Sequence, residues 1–184
     1  FRFKGEGVEN IPDGPCIIAP NHQSFFDGLF VASFLKRKTM RKTYFYAKKK
    51  HVSNGFLRFL AAKNNVIVMD INKDLKESIH KLAEALRRGN NVIIFPEGTR
   101  TTNGSVGEFK KTFAILSTQL NVPVVPVAID GAYKALPQGS KFPKLNTKIR
   151  VNFLNPVYPE GHTTDSLTQG VQESIQNELS RVAS

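Results

Sequence analysis

The chain has 184 residues, 40% of them hydrophobic and 22% charged; that is enough to bury one sizeable core, and the composition is that of a globular protein rather than a fibrous or disordered one. Its formal charge of +11 draws anionic partners such as nucleic acid, an anionic lipid surface or a polyanionic substrate. Cys16, the single cysteine, cannot form an intrachain disulfide; with no metal-type Cys/His spacing, no run near 18 consecutive apolar residues and no signal peptide, the chain is expected in a reducing compartment without a membrane-spanning helix.

Apolar strand-like runs alternate with helix-period runs. The first strand is expected at Ile17–Pro20, with Cys16 in the same apolar run as core filler, and a helix follows from about Ser24 to Lys36. A second strand, Thr43–Ala47, leads to a helical run near Asn54–Ala62, and a third strand covers Asn65–Met69. Leu75, Ile79, Leu82 and Leu86 recur on one face of an amphipathic helix, and Gly89 marks its end. After the strand Val92–Phe95, a glycine-bearing loop reaches a helix at about Phe109–Gln119. Pro123 and Pro126 interrupt the strand Val122–Ile129, which suggests an edge position or a bulge. Ala132–Asn146 is the longest expected loop, Thr147–Leu154 a last strand, and Leu167, Val171, Ile175 and Leu179 mark a C-terminal amphipathic helix. The alternation predicts an α/β fold: one domain over residues 1–184, with a mixed, mostly parallel central sheet flanked by helices.

Two stretches carry chemistry. Asn21-His22-Gln23-Ser24-Phe25-Phe26-Asp27 follows the first strand, and Phe95-Pro96-Glu97-Gly98-Thr99-Arg100 closes the Val92–Phe95 strand. Open α/β sheets collect ligands at the carboxyl ends of their strands, where both stretches lie. A spacing of five does not stack His22 and Asp27 on one helix face. It works if His22 lies in the loop and Asp27 in the first helical turn, with Ser24 as N-cap and Asp27 completing a capping box. Asp27 would then fix the imidazole tautomer while the other ring nitrogen takes a proton. The same residues also fit a plain helix cap beside a loop histidine. No G-x-S-x-G elbow is present, so such a base would act directly on a substrate hydroxyl.

In the second stretch, Gly98 lets backbone approach a ligand and Arg100 can grip a phosphate through paired hydrogen bonds. Lys110 and Lys111, at the start of the next helix, are candidates to add charge and free N–H groups. Glu97 can accept from a glycerol hydroxyl or hold Arg100 in place. Thr99 reads as a loop hydrogen-bonder. The alternative is a turn whose charges pair with one another. The basic residues Lys36, Arg37, Lys38, Arg41, Lys42, Lys48, Lys49 and Lys50 precede the apolar Gly55–Leu60 run. That succession suits either a core helix behind a solvated basic face or a helix lying in a membrane interface.

With these residues in view, the chain resembles the glycerolipid acyltransferases typified by 1-acylglycerol-3-phosphate acyltransferase. The family's N-H-x-S-x-x-D is matched by Asn21, His22, Ser24 and Asp27, and its F-P-E-G-T-R from Phe95 to Arg100. Its V-P-V-x-P-V run is matched by Val122–Val127, and Gly107–Lys111 is similar to the segment after its third motif. The second motif departs. Many members end that strand with an arginine credited with holding the acceptor phosphate, whereas Asn65–Asp70 ends in aspartate. That segment is more similar to acyltransferase domains fused to acyl-activating (AMP-forming ligase) domains, and a start at Phe1 would suit an excised domain.

The resemblance implies transfer of a fatty acyl group from acyl-CoA or acyl-carrier protein to the free hydroxyl of a lysophospholipid. It makes His22 the general base and Asp27 its partner. Glu97, Gly98, Thr99, Arg100 and Lys110 become the acceptor site, and no metal or prosthetic group is called for. It also implies a peripheral position on the cytoplasmic side of an anionic membrane, and no nucleic-acid partner. The competing class is a non-catalytic membrane lipid-binding module, which would have no need of a base.

Overall fold

The computed structural model describes residues 2–48, 66–69, 75–135, 144 and 146–183. Strand β1 (Arg2–Glu6) and a 3-10 turn (Val8–Asn10) precede β2 (Ile17–Pro20), α1 (Asp27–Phe34), α2 (Arg37–Arg41) and β3 (Thr43–Lys48). Then come β4 (Val66–Met69), α3 (Leu75–Arg87), β5 (Asn91–Ile93) and α4 (Thr112–Leu120). The chain ends with β6 (Val124–Asp130), α5 (Ala132–Ala135), β7 (Lys148–Phe153) and α6 (Thr164–Ala183). The seven strands form one sheet in the order β1-β7-β6-β2-β5-β3-β4. Every neighbouring pair is parallel except β6 with β7, so the sheet is mixed and mostly parallel, as expected.

Side chains alternate across a strand, so the buried strands feed two cores. Ile17 and Ala19 of β2 face one side, where Leu82 and Leu86 of α3, Phe113 of α4, and Leu167, Val171 and Ile175 of α6 cover them. Cys16 and Ile18 face the other side, with Val31 and Leu35, Ile149 and Val151 of β7, and Ala132 and Ala135 of α5. Each fully buried Val, Leu, Ile or Phe contributes roughly 1.5–3 kcal/mol over leaving it in water. Burial pushes the Cys16 thiol up to about 12, so it stays neutral at physiological pH and fills core.

Local signals explain most boundaries. The expected α3 face is the buried one, and Gly89 ends the helix at φ 78°. The Gly89 N–H donates to the Leu86 carbonyl and the Asn90 N–H to the Ala85 carbonyl, both at 3.0 Å, the bond pair of a Schellman cap. β1 gives no signal in the sequence because Arg2, Lys4 and Glu6 deny it an apolar alternation; it is an exposed edge strand lying parallel to β7. The long loop expected at Ala132–Asn146 opens instead with the short helix α5. The helical run near 54–62, its membrane-facing reading, and Asp70 at the end of the third strand lie outside the described residues.

The edge position inferred from the prolines is wrong, and the irregularity beside Pro126 lies in the partner chain and not in β6. β6 lies inside the sheet, between β7 and β2. Pro126 falls between the Val127–Phe153 pair and the Val124–Val157 bridge, where the partner chain advances one residue further than β6. Its carbonyl still accepts from the Leu154 N–H at 2.9 Å. Proline has no N–H to return to that partner, so the pair is held by this one bond.

β2 stops at Pro20, yet its pairing continues through a side chain. The Asn21 amide donates to the Ile129 carbonyl at 3.0 Å and accepts from the Ile129 N–H at 2.7 Å, while the Asn21 N–H donates to Val127 at 3.3 Å. This buried amide does for β6 what another residue of β2 would do, and frees the chain to turn at His22. Replacing Asn21 with Ala leaves two buried backbone groups unsatisfied, at roughly 1–3 kcal/mol each. We expect Asn21→Ala to lower the melting temperature by about 2–4 °C for every kcal/mol lost; an unchanged melt would show that the ladder does not depend on the amide.

Candidate active site

β2 lies between β6 and β5 and runs parallel to both, so the loops leaving these three strands meet at one end of the sheet. Asp27 sits there as the first residue of α1 and is fully buried. Its Oδ2 accepts three hydrogen bonds: from the Gln23 N–H at 2.6 Å, the Ser24 N–H at 2.7 Å, and His22 Nδ1 at 2.9 Å. The His22 ring stacks on Phe95 with centroids 4.2 Å apart, and its side chain keeps 21% exposure. With Asp27 ionised, Nδ1 carries a proton and Nε2 holds a free lone pair.

The expected capping box is half made. Asp27 reaches back to the Ser24 N–H, but the Ser24 hydroxyl is buried without a partner, and the N-cap is Phe26. The cause is the convergence on Oδ2, which draws 23–26 into a turn and delays the helix to Asp27. Burial pushes the Asp27 carboxyl above the usual range, opposed chiefly by the His22 bond and then by the two backbone amides.

The loop after β5 closes over the other side of His22. Glu97 is 7% exposed, and its two oxygens accept from different amides: Oε1 from His22 at 2.7 Å and Oε2 from Gly107 at 2.9 Å. The Thr101 N–H donates to the His22 carbonyl at 2.8 Å. Burial raises the Glu97 carboxyl too, against those two amide bonds. Glu97 therefore turns into the protein and does not pair with Arg100. Among the described residues no carboxylate pairs with Arg100 or Lys110. The Arg100 guanidinium carbon lies 5.9 Å from the Phe25 ring centroid, within cation–π range.

Gly98 has φ 68°, so this position favours glycine for its conformation, and the flexible Lys110 side chain lies over it, its Nζ 3.0 Å from where a Cβ would be. Thr99 and Lys110 are exposed. Of the free N–H groups expected at Lys110 and Lys111, that of Lys110 is not offered. α4 begins at Thr112, the Lys110 N–H donates to the Pro96 carbonyl at 3.0 Å, and the Lys111 ammonium pairs with Asp165 at 2.7 Å.

Several supporting residues carry no sequence signal. Gln23 accepts from the Tyr133 N–H at 3.2 Å and donates to the Gly104 carbonyl at 3.4 Å, tying the His22 loop to α5 and to the 101–105 turn. Tyr133 donates its hydroxyl to the Thr102 carbonyl at 2.8 Å. From α6, the Gln172 amide accepts from the Phe109 N–H at 3.3 Å and donates to the Gly107 carbonyl at 3.4 Å. All three join segments far apart in the chain, which no local pattern encodes. Among the described residues no group of three or more His, Cys, Asp or Glu is gathered as a metal site would need.

The family model described as Acyltransferase matches residues 2–130. A chloroplastic 1-acyl-sn-glycerol-3-phosphate acyltransferase of Brassica napus is 28% identical, over 100% of this chain and 52% of its own length. An enzyme of the same name from Pseudomonas aeruginosa is 30% identical, over 78% of this chain and 55% of its own. The chain thus spans about half the length of these relatives. The crystal structure of the 1-acyl-sn-glycerophosphate acyltransferase PlsC from Thermotoga maritima superposes with a TM-score of 0.83 at 28% identity, covering 100% of this chain and 73% of that one. With a model match over most of its length and the His22–Asp27 pair formed at the carboxyl end of β2, the chain belongs to the acyltransferase family.

Proposed function

We propose that this chain transfers a fatty acyl group from an acyl thioester, carried by CoA or acyl-carrier protein, to the free hydroxyl of 1-acylglycerol-3-phosphate or a closely related lysophospholipid. The observation that carries the reading is the partly exposed imidazole of His22 held on a buried carboxylate at 2.9 Å. His22 Nε2 takes the hydroxyl proton as the acceptor oxygen attacks the thioester carbonyl. The tetrahedral intermediate collapses, the C–S bond breaks, and the imidazolium returns the proton to the leaving thiolate. Asp27 holds the tautomer and stabilises the imidazolium. The step is complete with these side chains and needs no metal or cofactor.

Arg100 and Lys110, which no carboxylate neutralises among the described residues, supply the charge for the acceptor phosphate. In this reading Gly98 lets the loop backbone approach that anion and the exposed Thr99 hydroxyl hydrogen-bonds it. The protein would work peripherally at the cytoplasmic face of an anionic membrane. Two features support a membrane-facing surface: Arg37, Lys38, Arg41 and Lys42 line one exposed groove, and Leu29 of α1 is 38% exposed.

The test is to incubate the chain with acyl-CoA or acyl-carrier protein and a panel of lysophospholipids, with products identified by mass spectrometry. His22→Ala should abolish turnover while the fold persists, and Arg100→Ala should raise the acceptor KM severalfold; full turnover without His22 refutes the mechanism.

A pH dependence follows from the buried carboxyls. Both Asp27 and Glu97 are raised, chiefly by burial, so the native state keeps protons that the unfolded chain releases from about pH 4 upward. Their contribution to stability is therefore lost as pH rises through the raised values. Urea melts between pH 4 and 8 should show a shallower loss for Asp27→Asn than for the parent chain; an unchanged slope would mean burial does not govern this carboxyl.

A further inference from the structure

We infer that Glu97 is a positioning residue for His22 and not a ligand of the acceptor, and that α6, through Gln172 and Gly107, is part of the same support. The inference rests on the acyltransfer reading above and adds a role to a residue that the motif alone would assign to substrate.

The geometry is specific. The His22 backbone is gripped on both sides: its N–H by Glu97 Oε1 at 2.7 Å, its carbonyl by the Thr101 N–H at 2.8 Å. Both partners come from the loop that also carries Arg100. Asp27 and Phe95 then fix the ring itself. Rotation of the imidazole and drift of its backbone are thus restrained independently, which a base needs if Nε2 is to meet a hydroxyl at hydrogen-bond distance.

Glu97 can restrain the backbone only because its second oxygen is held. Oε2 accepts from the Gly107 N–H at 2.9 Å, and Gly107 packs so closely that a Cβ there would lie 3.0 Å from the same oxygen. The Gly107 carbonyl and the neighbouring Phe109 N–H are engaged by the Gln172 amide. The support therefore runs from α6 through Gly107 and Glu97 to His22. It draws on a residue beyond the 2–130 stretch that the family model matches. At 7% exposure, and with each oxygen already accepting from backbone, Glu97 is poorly placed to meet a substrate hydroxyl.

The two roles separate kinetically. A residue that positions the base lowers kcat and leaves the acceptor KM alone; one that binds the acceptor raises KM. With the whole chain, acyl-CoA as donor and 1-acylglycerol-3-phosphate as acceptor, Glu97→Gln should lower kcat by about 100-fold, the order expected of a small displacement of a reacting group. The acceptor KM should stay within about twofold, with Arg100→Ala as the contrasting KM variant. Gly107→Ala crowds the same oxygen without touching the carboxylate, and Gln172→Ala removes the α6 contact. Both should show the same kcat-only loss, smaller for Gln172→Ala, in proteins whose thermal melts remain cooperative, so the inference stays testable if Glu97→Gln does not fold. A raised acceptor KM with unchanged kcat in Glu97→Gln overturns the inference, as does full activity in both Glu97→Gln and Gly107→Ala. If His22→Ala is inactive while those two are fully active, the positioning role alone fails. If His22→Ala is active, the reading beneath it fails as well.

Discussion

The site depends on one buried oxygen. Asp27 Oδ2 collects the N–H groups of Gln23 and Ser24 and the imidazole of His22. Removing a carboxylate from water costs several kcal/mol unless donors replace the solvent, and here two of the three replacements are backbone amides of the loop leaving β2. The same bonds that make Asp27 tolerable inside the protein shape that loop. A lone cap would have left His22 free to turn; the convergence leaves the ring one orientation, with one nitrogen committed inward.

The sheet supplies the rest. Parallel strands deliver their loops to the same end, so β6, β2 and β5 present Tyr133, His22 and Glu97 side by side without any direct sequence link among them. The polar atoms brought inside are then largely satisfied across loops: Asn21 on β6, Gln23 on α5 and the 104 turn, Glu97 on the His22 loop and on Gly107. These bonds cost side-chain freedom and desolvation, and return a rigid arrangement in which cations face outward and carboxylates face inward. The sorting is electrostatically sensible for an anionic acceptor. Asp27 and Glu97 lie behind the histidine, one bonded to its ring and the other to its backbone N–H, and Arg100 and Lys110 are not neutralised by them.

Glu97 and Arg100 illustrate how residues close together in one motif can be turned to different surroundings. Three residues apart in one turn, they look like an ion pair or a joint substrate clamp. Gly98, at φ 68°, lets the chain reverse between them, so one side chain enters the core and the other leaves it. Lys110 and Lys111 divide likewise: one lies against Gly98, the other pairs with Asp165 on α6. Adjacent charges are sent to opposite tasks by backbone conformation that the residue types do not specify.

What the chain encodes locally is legible from the residues alone. Apolar runs place β2 and the buried face of α3, Gly89 marks the end of that helix, and the alternation of runs gives the α/β class, while the acyltransferase family comes from the resemblance of the two loop motifs. These are short-range properties, governed by backbone preference and the periods of helix and strand. The charged edge strand β1, the interior position of β6 despite two prolines, the Asn21 amide serving as a strand extension, and the turning of Glu97 toward His22 and Gly107 are decided only in three dimensions. Each depends on which distant segment lies alongside, and hydrogen bonds between residues scores of positions apart leave no periodic trace in a single sequence.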